Sequence, residues 1–227
     1  MENSELRAQA RTQLRGEWGK MALATFVYTL IVFPALYLFQ DFSQYHELLH
    51  NPLHNPTMSL LIQIAFFIVT GPFAYGFVNL FMKRIRGNEI SVPDIFEGFN
   101  KFLPCFLLYM LQIIFIVLWT LLLIVPGIIK GFAYSQAYYI LYDNHGMKPM
   151  EALKKSQQMM KGYKGKLFML YLSFLGWSML CVLTLGIGYF WLQPYMGLSL
   201  GNFYEDLKKS QEQPVIENNT AGNEGTV

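Results

Sequence analysis

The chain has 227 residues, of which 53% are hydrophobic, 16% aromatic and 14% charged. A soluble domain of this size carries about 25% charged residues, so there is too little polar surface to cover a water-soluble globule, and lipid is the expected solvent. A net charge of +2, with basic residues in separate short blocks, excludes a nucleic-acid footprint, and no nucleic-acid partner is expected.

The first predicted element spans residues 1–20, where Leu6, Ala10, Leu14 and Trp18 recur every four residues beside Arg7, Arg11 and Arg15. An apolar stripe edged by cations predicts an amphipathic helix lying in the headgroup region of an anionic leaflet. About 20 apolar residues cross a bilayer as a helix. The clearest such stretches are residues 21–40, 58–81, 102–125 and 167–189. Residues 128–142 and 193–204 are shorter, but each follows a long stretch through a Gly/Pro break, at Pro126-Gly127 and between Gly186 and Pro194. Six spans in three hairpins are therefore expected, making an all-α polytopic bundle over residues 21–207; the alternative of five spans would put the C-terminal tail outside and leave Lys208 and Lys209 unexplained. No cleaved signal peptide is expected, because the first apolar stretch begins only at Met21 and others follow it. Between spans, Ser91 with Asp94 predicts a capped short helix with Pro93 in its first turn. Pro149 and Glu151 mark the start of another helix on that side. Residues 208–227 are polar and aperiodic and predict a disordered tail.

Lys and Arg alternate with this count. Arg7, Arg11, Arg15 and Lys20 precede the first span; Lys83, Arg84, Arg86 and Lys101 follow the second; six lysines from Lys148 to Lys166 follow the fourth; Lys208 and Lys209 follow the sixth. Short cytoplasmic loops collect positive charge, so both termini are expected inside a cytoplasmic membrane.

Three segments at the mouths of spans resemble one another. Arg15-Gly16-Glu17-Trp18-Gly19-Lys20-Met21 matches Lys161-Gly162-Tyr163-Lys164-Gly165-Lys166-Leu167, and Gly98-Phe99-Asn100-Lys101-Phe102 is a shortened version. Trp18, Lys20, Phe99, Lys101, Tyr163 and Lys166 are the expected interface anchors, a ring at headgroup depth beside a snorkelling lysine. The second helix of each hairpin repeats small residues between bulky ones and ends in an amide, at Asn79, Gln136 and Asn202. Small residues let helices approach closely in lipid, and an amide bonds across the contact; Gly127, Gly131 and Ser135 also make a small-xxx-small ridge. Two explanations stay open: a true threefold repeat, or the restricted alphabet of membrane helices.

The expected spans contain no Asp, Glu, Arg or His, and Lys130 sits near a turn, so no enzymatic activity and no cofactor are expected. His46, His50 and His54 recur every four residues in an outer loop, and two histidines so spaced can bind zinc; Pro52 breaks the helical face, so the favoured reading is a polar loop without metal. Cys105 and Cys181 lie in apolar runs and read as small buried hydrophobes. Tyr134, Tyr138, Tyr139 and Tyr142 crowd the fourth span, as packed rings or, with the three amides, as the lining of a solute path.

Leu122-Leu123-Ile124-Val125-Pro126-Gly127-Ile128-Ile129-Lys130, the Tyr/Ser-rich helix into Asp143-Asn144, Gly162-Tyr163-Lys164-Gly165-Lys166-Leu167-Phe168, Leu175-Gly176-Trp177 and Thr184-Leu185-Gly186-Ile187-Gly188 before Pro194-Tyr195 form a combined signature. Over about residues 11–207 it resembles the bacterial integral membrane proteins of domain-of-unknown-function family 975. The resemblance implies a multi-span protein of the bacterial cytoplasmic membrane and brings no activity or catalytic residue. The sequence thus predicts a non-enzymatic membrane protein that organises lipid or recruits a membrane partner, another protein or itself. The alternative is a small-solute transporter or channel lined by the amides and tyrosines.

Overall fold

The computed structural model describes residues 1–30 and 56–223, with side chains at 1–30, 61 and 63–211; His46, His50 and His54 lie outside the described residues. Every regular element described is helical. In order these are α1 (Asn3–Leu14), α2 (residues 18–30), α3 (Pro56–Ile85), a 3₁₀ segment (Val92–Phe99), α4 (Phe102–Leu122), α5 (Ile124–Tyr134), α6 (Ala137–Asp143), α7 (Pro149–Met159), α8 (Lys164–Leu183) and α9 (Tyr189–Asn223).

Among the described residues, three helices are long and apolar enough to cross a membrane: residues 63–85 of α3, all of α4 and all of α8. They play different parts. The apolar window of α3 is 56% buried inside the protein, against 11% for α4 and 17% for α8. α3 is therefore an inner helix, whereas α4 and α8 turn most of their leucines outward.

Neighbouring helices pack through single polar and aromatic contacts. Gln112 of α4 donates to the carbonyl of Tyr134 at 2.9 Å, and Gly127 of α5 sits against Thr120. Phe174 of α8 meets Tyr195 of α9 edge-on at 5.1 Å. Tyr28 of α2 meets Phe73 and Phe77 of α3 at 5.6 and 5.0 Å.

Several boundaries depart from the sequence reading. The break after α4 falls at Leu123, in extended backbone, and Pro126 lies in the first turn of α5. The first amides of a helix have no intrahelical acceptor, so a residue without N–H costs nothing there. The stretch expected at 128–142 is two helices, separated by a turn at 135–136, where Ser135 Oγ bonds back to the Phe132 carbonyl at 2.8 Å. Of the small-residue ridge, Gly127 is packed, while a Cβ on Gly131 would meet open space. α9 starts at Tyr189, four residues before the stretch expected at 193–204, and runs to Asn223, through the segment expected to be disordered. Helix propagation adds a hydrogen bond per residue once nucleated, and Lys208, Lys209, Gln211, Glu212 and Gln213 are good helix formers. The Ser91/Asp94 cap forms as expected, the Ser91 amide donating to Asp94 at 2.8 Å, but the helix it starts is 3₁₀.

The threefold pattern is present in the backbone. Arg15, Glu17 and Met21 donate to the carbonyls of Thr12, Leu14 and Glu17 at 3.2, 3.0 and 3.1 Å. Lys161, Tyr163 and Leu167 donate to those of Gln158, Met160 and Tyr163 at 3.1, 3.3 and 3.1 Å, the same steps in the same order. Gly16 and Gly162 hold these turns at φ of 83° and 82°, a region that L side chains avoid. In the middle copy Lys101 donates to Gly98 and Cys105 to Lys101, both at 3.2 Å, which aligns Lys101 with Glu17 and Tyr163. The first two inward positions that follow are fully buried in every copy: Met21, Cys105 and Leu167, then Ala24, Leu108 and Leu170. Grouped by these turns, the described residues fall into three units, each an amphipathic segment followed by apolar helical segments.

Candidate functional site

Among the described residues, the ion pairs lie on the amphipathic segments and at the helix ends beside them. Each amphipathic segment docks on the second apolar helix of the unit before it. The 3₁₀ segment docks on α3, and Asn79 Nδ2 donates to the Asp94 carbonyl at 3.1 Å. Close approach is permitted by two glycines, since a Cβ on Gly76 would strike the Ile95 carbonyl and one on Gly98 the Pro72 carbonyl. α7 docks on α5 and α6, where the Gln136 amide donates to Ser156 Oγ at 3.2 Å and that hydroxyl donates to the Ala133 carbonyl at 2.8 Å. α1 docks on α9 and closes the cycle. Asn202 and Gln13 exchange two amide bonds of 3.0 Å, and Asn202 Nδ2 also reaches the Leu6 carbonyl at 3.4 Å.

The three amides are thus 1–3% exposed, and each residue sits at a joint between an amphipathic segment and its neighbour. Gln136 differs from the other two: its backbone N–H makes the joint, its Nε2 bonds only to Ser135 at 3.0 Å, and its Oε1 has no partner among the described residues. The tyrosines are packing groups as well. Tyr138 donates to the Cys105 carbonyl and Tyr139 to the Gly197 carbonyl, both at 3.4 Å, while Tyr134 is buried beside Phe115. Cys105 is buried and Cys181 half-buried, both as free thiols.

The sequence reading turns the apolar stripe of α1 toward lipid. The structure corrects this: Leu6, Ala10 and Leu14 are fully buried, and α9 is the chief neighbour of α1. An apolar face supplied by the bundle itself removes that stripe from solvent more completely than a headgroup layer does. Arg11 and Arg15 remain exposed on the outer face.

The anchor residues divide by role. Phe99 is 37% exposed and packs on Phe73 at 5.1 Å, and Lys20 is exposed and pairs with Glu17 at 3.1 Å. Trp18 and Tyr163 are half-buried against the core. Lys101 and Lys166 are tied inward, Lys101 donating to Tyr75 Oη at 3.0 Å beside His145, and Lys166 pairing with Asp206 at 3.0 Å.

Sequence reasoning overlooked a charge network that joins the ends of the three second helices. Arg86 following α3 pairs with Asp143 of α6 and with Glu205 of α9, the latter at 2.9 Å. Lys208 and Tyr204 Oη reach the other Asp143 oxygen at 2.7 and 3.0 Å. The signal available in sequence was an acid ending one span-like stretch and bases ending two others. Burial alone raises the Asp143 carboxyl, but hydrogen bonds from Lys208, Arg86 and Tyr204 outweigh it and hold the group below the usual carboxylate range. Asp206 is lowered likewise, Lys166 overcoming its burial, and so is Asp94. Beside the network opens a polar cavity of about 600 Å³, lined by Gln9, Gln13, Arg86, Asp143, Asn202 and Lys208 among others.

No curated protein and no solved structure matches the chain. A family model described as "Protein of unknown function (DUF975)" matches residues 1–130 and again residues 120–211. With that match running from the first amphipathic helix through the charge network of α9, the chain belongs to domain-of-unknown-function family 975.

Proposed function

We propose that the protein is a non-enzymatic scaffold of the bacterial cytoplasmic membrane, crossing it six times as three hairpins with both termini inside. It presents three amphipathic segments and their cations at the inner leaflet, where it organises lipid or recruits a membrane partner. One observation carries this reading. The side-chain amides of Asn79 and Asn202 and the backbone N–H of Gln136 make the joints between an amphipathic segment and its neighbouring unit, so polarity at depth serves assembly. The outward leucines of α4 and α8, among them Leu118, Leu121, Leu172 and Leu180, supply a surface suited to hydrocarbon.

Reconstitution into sealed vesicles tests the reading. The expected result is that small neutral solutes leak no faster with the protein than without it. A solute flux abolished when Asn79, Gln136 and Asn202 are replaced by leucine would establish the transporter reading instead. Single cysteines placed at positions 88, 147 and 210 of a cysteine-free chain are expected to be labelled from one side only; labelling of any one from the opposite side would sink the six-span arrangement.

A further inference from the structure

Between α8, α9 and the turn that joins α1 to α2 lies an open apolar groove of about 420 Å³. Its lining includes Trp18, Trp177, Leu180, Trp191 and Tyr195, with Arg11 beside them. Three of the four tryptophans in the chain meet here, and Trp177 and Trp191 are 53% and 48% exposed. The groove follows the seam between the third unit and the first. By the repeat register above, the positions equivalent to Arg11 are Ile95 and Gln157, so among the three seams this one alone carries a cation at that position.

The groove is complementary in charge as well as polarity to one kind of occupant. Arg11 enters no ion pair among the described residues, and Arg15 lies one turn away on the same exposed face. The nearby carboxylates are engaged: Glu5 accepts from the Glu2 amide at 2.8 Å in the cap of α1, and Glu17 pairs with Lys20. None of the lining residues from α8 or α9 is acidic. A guanidinium binds phosphate oxygens through its planar fork, and indole rings accept an acyl chain along their faces. We propose that this groove holds one anionic glycerophospholipid, its phosphate against Arg11 and an acyl chain laid along Trp177, Leu180 and Trp191. The proposal rests on the membrane reading given above and adds a defined lipid site to it.

The test uses the full chain with Trp119→Phe, which leaves the three groove indoles as the fluorescent reporters. The protein is placed in bilayers containing phosphatidylglycerol or phosphatidylcholine with brominated acyl chains, and quenching is followed against the fraction of brominated lipid. The expected result is a preference of about fivefold for phosphatidylglycerol, removed by Arg11→Gln. Arg11 is exposed, so that variant folds, which its unchanged melting temperature will show. Equal quenching by the two lipids before the substitution would overturn the lipid site while leaving the membrane reading intact. Absence of quenching by either lipid would overturn both.

Discussion

At the level of single residues the three joints make unequal demands. Asn202 has every polar atom engaged by Gln13 and the Leu6 carbonyl, so Asn202→Leu strands the Gln13 amide in a half-buried place. Loss of a satisfied buried amide costs about 1–2 kcal/mol. The expected outcome is a matching drop in unfolding free energy in detergent, with the Gln13→Leu variant adding little more in a double-mutant cycle. Gln136→Leu is expected to be near neutral, since that side chain makes one local bond and leaves an oxygen unpartnered; a loss as large as that of Asn202→Leu would contradict the assignment. Glycines separate in the same way. Gly98→Ala drives a methyl group into the Pro72 backbone and is expected to cost about 3 kcal/mol or prevent docking of the 3₁₀ segment. Gly131→Ala meets open space within α5 and is expected to stabilise by up to about 1 kcal/mol. Thermal melts of the two variants check both signs.

Among the elements, the three helix ends tied by Arg86, Asp143, Glu205 and Lys208 make stability depend on acidity. The folded carboxyls of Asp94, Asp143 and Asp206 are all held below their unfolded values. A group lowered on folding stabilises the fold at pH above its unfolded pKa, and that contribution disappears as pH falls through the folded pKa. The protein is therefore expected to lose stability on acidification below the ordinary carboxylate range and to hold it between there and neutrality. Asp143→Asn should remove much of this slope and lower stability at pH 7 by on the order of 2 kcal/mol, because Arg86 and Lys208 then face a neutral amide. Melting temperature followed against pH for both proteins is the measurement. Much of this level was legible in sequence. The Ser91/Asp94 cap, the Pro149 start of α7 and the glycine turn at Gly162 follow from local rules that hold in any environment. What stayed hidden was partnership. Periodicity reveals that Leu6, Ala10 and Leu14 form a face, but whether lipid or protein covers it depends on α9, nearly 200 residues away. Likewise the Arg86–Asp143–Lys208 network is written as isolated charges in three separate segments, and only the assembled units bring them together.

For the molecule as a whole, the repeat predicts interchangeability. Each amphipathic segment is held by the preceding unit, and the third unit returns to the first. Opening the chain elsewhere should therefore leave the cycle intact. A permuted protein that begins at Asn88, ends at Arg86 and carries a flexible linker from residue 211 to Met1 is expected to be monodisperse in detergent and to melt within a few degrees of the parent. Aggregation of this permutant alongside a well-behaved parent would show that covalent continuity from α3 into the 3₁₀ segment is indispensable.

The bond from Asn202 to the Leu6 carbonyl spans 196 positions of chain, and this separation fixes an order of events during synthesis. Helix α1 waits for a partner that is translated far later. Until then its three inward side chains have only the membrane surface or a chaperone to rest on. A nascent chain stalled before α9 therefore carries an open, sticky α1 face that the finished protein conceals, a feature by which proteases tell unfinished copies from complete ones.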